Sequence, residues 1–510
     1  MASPLEKASV AVARAGRRTD PLPSFRDAMK NRSGILLGTL AALVLGVQAA
    51  AAAEPDAALK SLLRAPALRG ARLSVVVISL QTGETVLERS SERLMIPASN
   101  QKILLAATAL AHWGPAKRFE TPVLTDGSIA ENGVLEGTLW IQGLGDPSLV
   151  SESLWKLAEE IRLLGITQVR DGIAVDASYF DGMRFHPDWE PLSSRAYHAP
   201  TSAFAANYSS CRIEVTPASK VGKPARVSVA PFTPYFRVRS DVLTGAKAGP
   251  LQLELDSLPD GSGDRVRMRG LIALGAKPKT YWRAISLPEH YAANLLRTQL
   301  ETQGVRVSGP IRVGRVPPSA RELLRFQGEP LDQIIRKLNK FSNNFIAAQL
   351  IKGLGAEVHG APGSWRKGIR VVEAHLRGIG INGAQAILAD GSGLSPRNRV
   401  SAETLARVVR DATLRFDSGP EFLASLPLGG LDGTLEDRMN GSETSVRGKT
   451  GHLRHVSSLS GLLPRGGEWL VFSILVNGAR GSSTDVDAAI DAFIAELAAT
   501  GDGDSSVLTR

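Results

Sequence analysis

The sequence predicts an α+β protein of several domains, in which both ends of the chain supply strands to one helix-covered sheet. Two hairpins of alternating Val-, Ile- and Leu-rich strands carry this prediction, at residues 72–88 and 456–476. Residues 484–500 follow the second hairpin as an amphipathic helix. Between the two ends, residues 121–319 are punctuated by Gly and Pro and carry short alternating runs, which indicates inserted, mostly β material.

The 510 residues suffice for roughly three domains of about 150 residues. Apolar periodicity predicts further helices at 57–68, 102–113, 291–304 and 331–340. Alternation predicts strands in the inserted segment at 135–142, 168–175, 226–229, 251–255 and 265–274. We therefore expect a leader at 1–53, one discontinuous domain at 54–120 and 320–500, inserted domains at 121–319, and a frayed tail at 501–510.

The start of the chain has the pattern of an export signal. Residues 34–53 are apolar and uncharged, follow Lys30 and Arg32, and end in three alanines. A membrane anchor is the alternative, since about 20 apolar residues can span a bilayer. The Ala- and Gly-rich second half favours cleavage near Ala53, hence a periplasmic or cell-envelope location. The long stretch before the apolar core leaves Met29 as an alternative start to Met1.

Charge and cysteine content narrow the class of function. Residues 1–53 hold seven basic and three acidic residues, which leaves about +6 of the net charge of +10 to the rest. The basic residues are scattered and match no nucleic-acid motif. A mild positive charge suits a carboxylate-rich wall polymer or peripheral membrane association, without specifying either. The single cysteine, Cys211, has no internal disulfide partner and belongs to no metal-binding cluster, so we expect a buried thiol and neither cofactor nor metal.

Ser99-Asn100-Gln101-Lys102 opens an apolar helix, which places the hydroxyl and the amine on one face. A nucleophilic serine needs a base within hydrogen-bond reach. Lysine can be that base when burial or a neighbouring cation, here Lys449, lowers its pKa. The same spacing recurs at Ser153-x-x-Lys156 and Ser364-x-x-Lys367, which we interpret as surface coincidences.

Two further motifs follow in order. Ser342-Asn343-Asn344 precedes an apolar run and could alone be a helix N-cap. Lys449-Thr450-Gly451 opens a strand, where glycine lets a ligand backbone approach and Lys and Thr offer a cation and a hydroxyl to a carboxylate. Alone it could be a surface turn. The order of all three motifs favours one acyl-transfer site.

The three motifs resemble those of class A β-lactamases and penicillin-binding proteins. The chain is most similar to the class C low-molecular-mass penicillin-binding proteins, which carry a large insertion between the first two motifs. Here 240 residues separate Lys102 from Ser342. The resemblance covers about residues 57–497 and includes four further segments, at 143–149, 197–203, 390–395 and 428–435.

This resemblance implies a penicillin-recognising serine transpeptidase/β-lactamase-like α/β sandwich with an antiparallel sheet and large inserted domains. It also implies a serine D-Ala-D-Ala carboxypeptidase and D,D-endopeptidase that acts on peptidoglycan stem peptides and cross-links and is acylated by β-lactam antibiotics. The implied roles are nucleophile for Ser99, base for Lys102, proton relay for Ser342, amide ligand for Asn344, carboxylate site for Lys449, Thr450, Gly451 and His452, and oxyanion-hole N–H groups for Ser99 and His452.

Three positions depart from the family pattern. Asn343 replaces the usual Asp, Pro396 precedes Arg397, and His452 stands where a hydroxyl residue is usual. A protonated His452 imidazole could still bind the substrate carboxylate.

Two rival functions remain open. A class A β-lactamase needs a Glu-x-x-x-Asn loop, and between the second and third motifs that pattern occurs only at Glu436-x-x-x-Asn440, 94 residues past Ser342 and in the wrong place. The other rival is an inactive wall-binding protein, which the intact motifs disfavour.

Overall fold

The computed structural model describes residues 55–189, 192–439 and 445–499. Its helices in these ranges are α1 (55–64), α2 (Gln101–Trp113), α3 (Ser151–Leu163), α4 (Pro288–Thr302), α5 (Leu331–Lys340), α6 (Asn344–His359), α7 (Trp365–Gly378), α8 (Ala402–Leu414), α9 (Gly419–Ser425) and α10 (Ser483–Ala499). Its strands are β1 (Arg72–Ser79), β2 (Thr85–Arg89), β3 (Arg118–Thr125), β4 (Ser128–Ile129), β5 (Val134–Glu136), β6 (Leu139–Gln142), β7 (Gln168–Val169), β8 (Ile173–Asp176), β9 (Ser210–Thr216), β10 (Arg226–Ala230), β11 (Phe236–Gly245), β12 (Leu251–Ser257), β13 (Asp264–Ala273), β14 (Lys279–Ala284), β15 (Arg306–Val307), β16 (Ile311–Val313), β17 (Arg321–Pro330), β18 (Ala386–Ile387), β19 (Arg399–Val400), β20 (Arg447–Leu453), β21 (Val456–Arg465) and β22 (Glu468–Asn477).

One antiparallel sheet joins the two ends of the chain, as the two hairpins predict. Its order is β2-β1-β22-β21-β20, and β1 pairs with β22 along its whole length. Side chains of β1 alternate between two cores: Val76 and Ile78 pack with α2 and α8, whereas Val75 and Val77 pack with α10. Helices therefore cover both faces of the sheet, and β20 forms an edge beside the start of α2.

Helix α2 is buried over nearly its whole surface. Ten of its thirteen residues are buried, because Leu, Ile and Ala surround the helix on all sides. It contacts α5, α6, α7 and α8, which together form the larger hydrophobic core. A helix held in this way provides a rigid support for residues at its N-terminus.

The inserted segment and the residues that flank it form several small sheets. A five-stranded sheet runs β16-β8-β6-β3-β17, and a four-stranded sheet runs β15-β7-β5-β4. Two three-stranded sheets, β10-β9-β14 and β11-β13-β12, share one apolar core. The strands predicted at 226–229, 251–255 and 265–274 and the helix predicted at 291–304 are present as β10, β12, β13 and α4.

Two segments that were predicted as single strands are each divided into two strands. Residues 135–142 divide into β5 and β6, and residues 168–175 divide into β7 and β8. Gly172 takes a φ of +84° at the second break, and a Cβ there would lie 2.1 Å from the carbonyl oxygen of Pro310. The chain turns at each break, so β5 and β7 join one sheet while β6 and β8 join another.

Two helix predictions also need correction. The helix expected at 57–68 ends at residue 64, and a 3₁₀ turn at Pro66–Leu68 follows, because proline cannot continue the ladder. The inserted segment, predicted to be mostly β, contains the helix α3, whose buried Leu154, Leu157 and Ile161 have helical spacing. That spacing was the available signal.

The expected leader at 1–53, its cleavage near Ala53 and the frayed tail at 501–510 lie outside the described residues. Within the described part of the chain, no helix combines the length and apolarity needed to cross a bilayer. The domain boundaries at 120/121 and 319/320 stay predictions.

Candidate active site

Ser99 lies in a 3₁₀ turn, Ala98–Asn100, that leads directly into α2. The preceding segment is fixed to the sheet, since the Asn477 side chain bonds both the N–H and the carbonyl of Ile96. Ala98 takes a φ of +47°, in the left-handed region that non-glycine residues seldom adopt. Ser99 is half-buried whereas Ala98 and Asn100 are buried, so its hydroxyl is the group that solvent can reach.

Lys102 is fully buried and meets three polar partners. Its Nζ lies 3.0 Å from Ser99 Oγ, 2.7 Å from Asn344 Oδ1 and 2.6 Å from the carbonyl oxygen of Ser392. Burial lowers the pKa of Lys102 to about 7, although the negative charge of Asp390 opposes the shift. A neutral amine has two N–H donors and one lone pair. Those donors match the two carbonyl-type oxygens, and the lone pair is left for the Ser99 hydroxyl.

Lys449 is the second buried lysine of the site. Its Nζ donates to Ser342 Oγ at 3.0 Å and to the carbonyl oxygen of Thr450 at 2.7 Å. Burial and the nearby charge of Lys102 hold the pKa of Lys449 well below its usual value. The sequence led us to expect the reverse coupling, with Lys449 lowering the pKa of Lys102. At Lys102, however, burial is the main cause.

The second motif connects α5 to α6. Ser342 takes a φ of +52°, and the Asn343 side chain accepts a hydrogen bond from the N–H of Ile346 at 3.0 Å. Asn343 is thus the N-cap of α6, a position that suits Asn as well as Asp. This explains why the substitution at the middle of the motif leaves the local structure intact.

Asn344 links the lysine to the inserted segment. Its Oδ1 accepts from Lys102, while its Nδ2 donates to the carbonyl oxygen of Tyr197 at 3.0 Å. Tyr197 belongs to one of the segments that resemble the family. The amide is therefore held in one orientation at the mouth of the site.

Strand β20 passes directly beside Ser99. A Cβ at Gly451 would lie 2.7 Å from the Ser99 backbone nitrogen and 2.4 Å from Ser458 Oγ, so this position requires glycine. The close approach supports the expected oxyanion pair, the N–H groups of Ser99 and His452, which stays a prediction. Thr450 is buried, and its hydroxyl bonds Thr434 Oγ1 at 2.7 Å.

The His452 side chain meets a carboxylate of the protein itself. Side chains alternate along a strand, so Thr450 and His452 point away from the side that carries Lys449 and Gly451. His452 Nε2 lies 2.8 Å and 3.0 Å from the two carboxylate oxygens of Asp487 on α10. A substrate carboxylate would compete with Asp487 for this ring, and the predicted carboxylate role of His452 stays a prediction.

Asp390 is a site residue that sequence reasoning did not single out. It is buried, and it fixes the turn that presents the Ser392 carbonyl to Lys102. Gly393 in this turn has a φ of +84°, and a Cβ there would overlap the carbonyl of Ala98. The Asp-Gly-Ser-Gly turn signature was the available signal. Its carboxylate accepts hydrogen bonds from Trp189 Nε1, Ser392 Oγ, Gly393 N, Ser395 N and Asn398 Nδ2.

Arg397, which follows Pro396, lies at the rim of the site and pairs with a carboxylate. Arg397 lies 3.3 Å from a carboxylate oxygen of Asp188, and Ser395 Oγ donates to the other oxygen at 2.8 Å. Asp188 comes from the inserted segment, so the rim is built jointly by two parts of the chain.

The other candidates lie outside the site. Ser364 is the N-cap of α7, and Ser153 bonds the backbone of Val150 at the start of α3, which confirms the surface interpretation of both matches. Glu436 is exposed, and Asn440 lies outside the described residues. Burial raises the pKa of the Cys211 thiol to about 12, so this cysteine is unreactive.

Two serine–lysine pairs beside an edge strand of an antiparallel sheet define a serine acyl-transfer enzyme of the penicillin-recognising class. The chain belongs to the D-Ala-D-Ala carboxypeptidase 3 (S13) family, whose model matches residues 56–500. A D-alanyl-D-alanine carboxypeptidase from Actinomadura sp. (strain R39) is 35% identical over 459 residues, 86% of this chain and 84% of the relative. A D-alanyl-D-alanine carboxypeptidase DacB from Haemophilus influenzae is 26% identical over 80% of this chain and 86% of its own.

Solved structures agree with the family and with the predicted fold. The crystal structure of penicillin binding protein 4 (dacB) from Haemophilus influenzae matches with a TM-score of 0.74 and 25% identity, over 86% of this chain and 98% of that one. A complex of the same protein with a β-lactam matches with a TM-score of 0.70 and the same identity and coverage. The predicted class C penicillin-binding-protein assignment is therefore confirmed.

Proposed function

We propose that this protein hydrolyses the peptide bond between two D-alanines of peptidoglycan stem peptides through an acyl-enzyme on Ser99. The observation that carries the proposal is the 3.0 Å contact between Ser99 Oγ and the buried Nζ of Lys102. A lysine whose pKa is about 7 is about half free amine at neutral pH, and the free amine is the form that can accept a proton.

Acylation requires two proton transfers. Ser99 Oγ bonds to the carbonyl carbon of the penultimate D-alanine while its proton passes to Lys102 Nζ. The C–N bond then breaks, and the proton held by Lys102 is relayed through Ser342 Oγ, which Lys449 bonds at 3.0 Å, to the leaving amine, so that Lys102 is neutral again. The N–H groups of Ser99 and His452 would bind the oxyanion, an interaction that typically contributes about 100- to 1000-fold to the rate.

Deacylation reverses the proton path with water in place of the amine. Water attacks the ester carbon, Lys102 accepts one of its protons, and the Ser99 oxygen leaves as the hydroxyl. Asn344 would hold the substrate amide in this scheme, and its Nδ2 would then exchange the Tyr197 carbonyl for the substrate.

The substrate's terminal carboxylate would bind at β20. Lys449 is fully buried, so it acts on the carboxylate through its field and through Ser342 more than by direct contact. Thr450 offers a hydroxyl there, and the hydrogen bond that it donates to Thr434 Oγ1 orients it. His452 is a further carboxylate ligand only when it leaves Asp487.

The same chemistry serves two related substrate classes. A cross-link between stem peptides presents an equivalent D-alanyl bond, so we propose D,D-endopeptidase activity as well. β-Lactams carry a reactive amide in a similar position, and the β-lactam complex of the Haemophilus influenzae relative supports acylation by these inhibitors.

Location is proposed from the sequence. The apolar segment at 34–53 supports export with cleavage near Ala53, and the positive charge supports peripheral association with the membrane. N-terminal sequencing of protein from the native host should begin close to Glu54. A sequence that begins before Gly34 would reject the cleavage.

The decisive experiment measures D-alanine release from a stem pentapeptide by wild type, Ser99→Ala and Ser364→Ala. We expect release by wild type and Ser364→Ala and none by Ser99→Ala. Equal release by Ser99→Ala would reject the proposed nucleophile, and no release by a folded wild type that accepts penicillin would reject the proposed substrate.

A further inference from the structure

The sheet β11-β13-β12 presents an unusual outer surface. Its inner side chains, such as Val266 and Met268, pack into the core shared with the neighbouring sheet. The alternate positions of the strands point outward. We call the outer surface the arginine face, which consists of Arg237 and Arg239 on β11 and Arg265, Arg267 and Arg269 on β13.

Net positive charge concentrates in this part of the chain. Residues 210–284 hold 13 basic and six acidic residues, a net charge of +7. All other residues after position 53 hold 40 basic and 41 acidic residues. The charge that appeared scattered in the sequence is therefore carried by the two small sheets, and the rest of the molecule is close to neutral.

The arginine face places like charges directly opposite one another. In the parallel register of β11 and β13, Arg237 aligns with Arg265 and Arg239 with Arg267. Neighbouring strands lie about 4.8 Å apart, so these are adjacent cations, an arrangement that destabilises a sheet. A cost of this kind is consistent with a surface that binds an anion.

Acidic residues of β12 neutralise only part of the face. Glu254 and Asp256 pair with Arg265, Arg267 and Arg269 at 2.9 to 3.8 Å. Arg237 and Arg239 form no ion pair within 4.0 Å among the residues that the structure describes. Asp260 lies within electrostatic reach of Arg237, and Asp241 stands opposite Arg269 in the register.

An apolar pair ends the same face. Leu243 on β11 aligns with Leu271 on β13, and they are 42% and 41% exposed. Along the register, two rows of arginine pairs are followed by the Asp241–Arg269 row and then by one row of exposed leucines. Flat basic surfaces with adjoining apolar side chains suit an interface with a bilayer, where cations meet headgroups and apolar groups enter the acyl boundary.

We propose that the arginine face docks this protein on the surface of an anionic phospholipid bilayer. Arg237 and Arg239 contact the lipid phosphates, and Leu243 and Leu271 insert at the headgroup level. A soluble polyanion would use the arginines and leave the leucines without a role. The inference rests on the proposed envelope location and names the surface responsible for membrane association.

The test measures co-sedimentation of the full chain with vesicles of phosphatidylcholine alone or with 30% phosphatidylglycerol, at about 0.1 M salt. The variants are Arg237→Gln/Arg239→Gln and a control of equal charge change on α1, Lys60→Gln/Arg64→Gln. For each variant we take the ratio of the partition coefficient on anionic vesicles to that on neutral vesicles. Residues 34–53 are uncharged, so their apolar contribution to binding cancels in this ratio. At about 1 kcal/mol per basic residue near the surface, the arginine variant should lose on the order of 30-fold in this ratio.

The control variant should lose much less, and Leu243→Ser/Leu271→Ser should weaken binding to the anionic vesicles. The arginine variant should fold at least as well as wild type, because it removes like-charge pairs. Equal ratios for wild type and the arginine variant would overturn the proposal. Binding of wild type to soluble polyphosphate but not to the vesicles would also overturn it. Unchanged D-alanine release by all these variants shows that the proposed catalytic function does not depend on the result.

Discussion

Two regions of this protein place basic side chains in contrasting environments. In the active site, Lys102 and Lys449 are completely buried, and their amines bond hydroxyl, amide and carbonyl oxygens. On the arginine face, the three arginine side chains of β13 are 38% to 58% exposed, and their partners are carboxylates. The active site contains lysines, which can lose a proton, and the arginine face contains arginines, which cannot.

The contrast shows how environment decides what a basic residue does. Removal from water lowers the pKa of both lysines, which turns one of them into a base. Exposed arginines keep their charge at every accessible pH, so they can serve only as fixed charges. The buried lysines thus serve catalysis, and the exposed arginines serve electrostatic attraction at the surface.

The largest expected effect concerns the nucleophile. Penicillin should form a covalent adduct on the tryptic peptide that contains Ser99, and Ser99→Ala should abolish it, because only Ser99 has a lysine amine within hydrogen-bond distance among the described Ser-x-x-Lys sites. Mass spectrometry of the intact and digested protein measures this. Ser153→Ala and Ser364→Ala are the controls. They should keep the adduct, and Ser364→Ala should lose about 1 kcal/mol of stability with its N-cap. An adduct on either control serine would contradict the assignment.

The second prediction exchanges the residue types of the two regions. Lys102→Arg should lower the acylation rate by about 100- to 10,000-fold, because a guanidinium cannot accept the serine proton. The reciprocal Arg239→Lys on the arginine face should leave acylation unchanged. Stopped-flow labelling with fluorescent penicillin measures both. Rapid acylation by a folded Lys102→Arg variant would show that another base operates and would break the comparison.

The third prediction concerns pH. Neutral Lys102 is the active form, so the acylation rate should rise with pH, with a midpoint near 7, and fall about tenfold per pH unit well below it. Asp390→Asn removes the charge that raises this pKa, so the midpoint should move to lower pH. Arg239→Gln is the control, because Arg239 is exposed and is distant from both buried lysines in the sequence. It should leave the midpoint of the acylation rate unchanged. A midpoint that stays in place in Asp390→Asn would show that Asp390 acts only as a structural support.

Sequence reasoning succeeded where the signal was local or repeated. The terminal hairpins and α5 follow from alternation and helical periodicity, and the order of the three motifs indicated which side chains meet. Ser99, Lys102 and Asn344 do meet in the structure, although Lys102 of the first motif and Asn344 of the second are 242 positions apart.

It failed where tertiary contacts decide the outcome. The breaks at β5/β6 and β7/β8 depend on close backbone packing, as at Gly172 against Pro310. The hydrogen bonds of Asp390 join Trp189 to residues 392–398, and both segments are distant in sequence from the nucleophile. The like-charge pairs of the arginine face appear only in the register of β11 with β13.

The smallest predicted effect concerns His452, a basic residue of the active-site strand β20 whose side chain is as exposed as those of the arginine face. Its ring is 40% exposed and paired with Asp487, and an exposed pair is worth only about 0.2–1 kcal/mol. A substrate carboxylate can therefore compete with Asp487 for the ring. We expect His452→Thr to raise KM about two- to fivefold for a peptide with a free C-terminal carboxylate. Asp487→Asn removes the competitor and should lower KM. Neither should alter KM for the corresponding C-terminal amide. If both variants change KM equally for the carboxylate and the amide substrate, His452 contributes only its backbone N–H. The contrast between buried lysines that act as bases and exposed arginines that act as fixed charges then needs no third case.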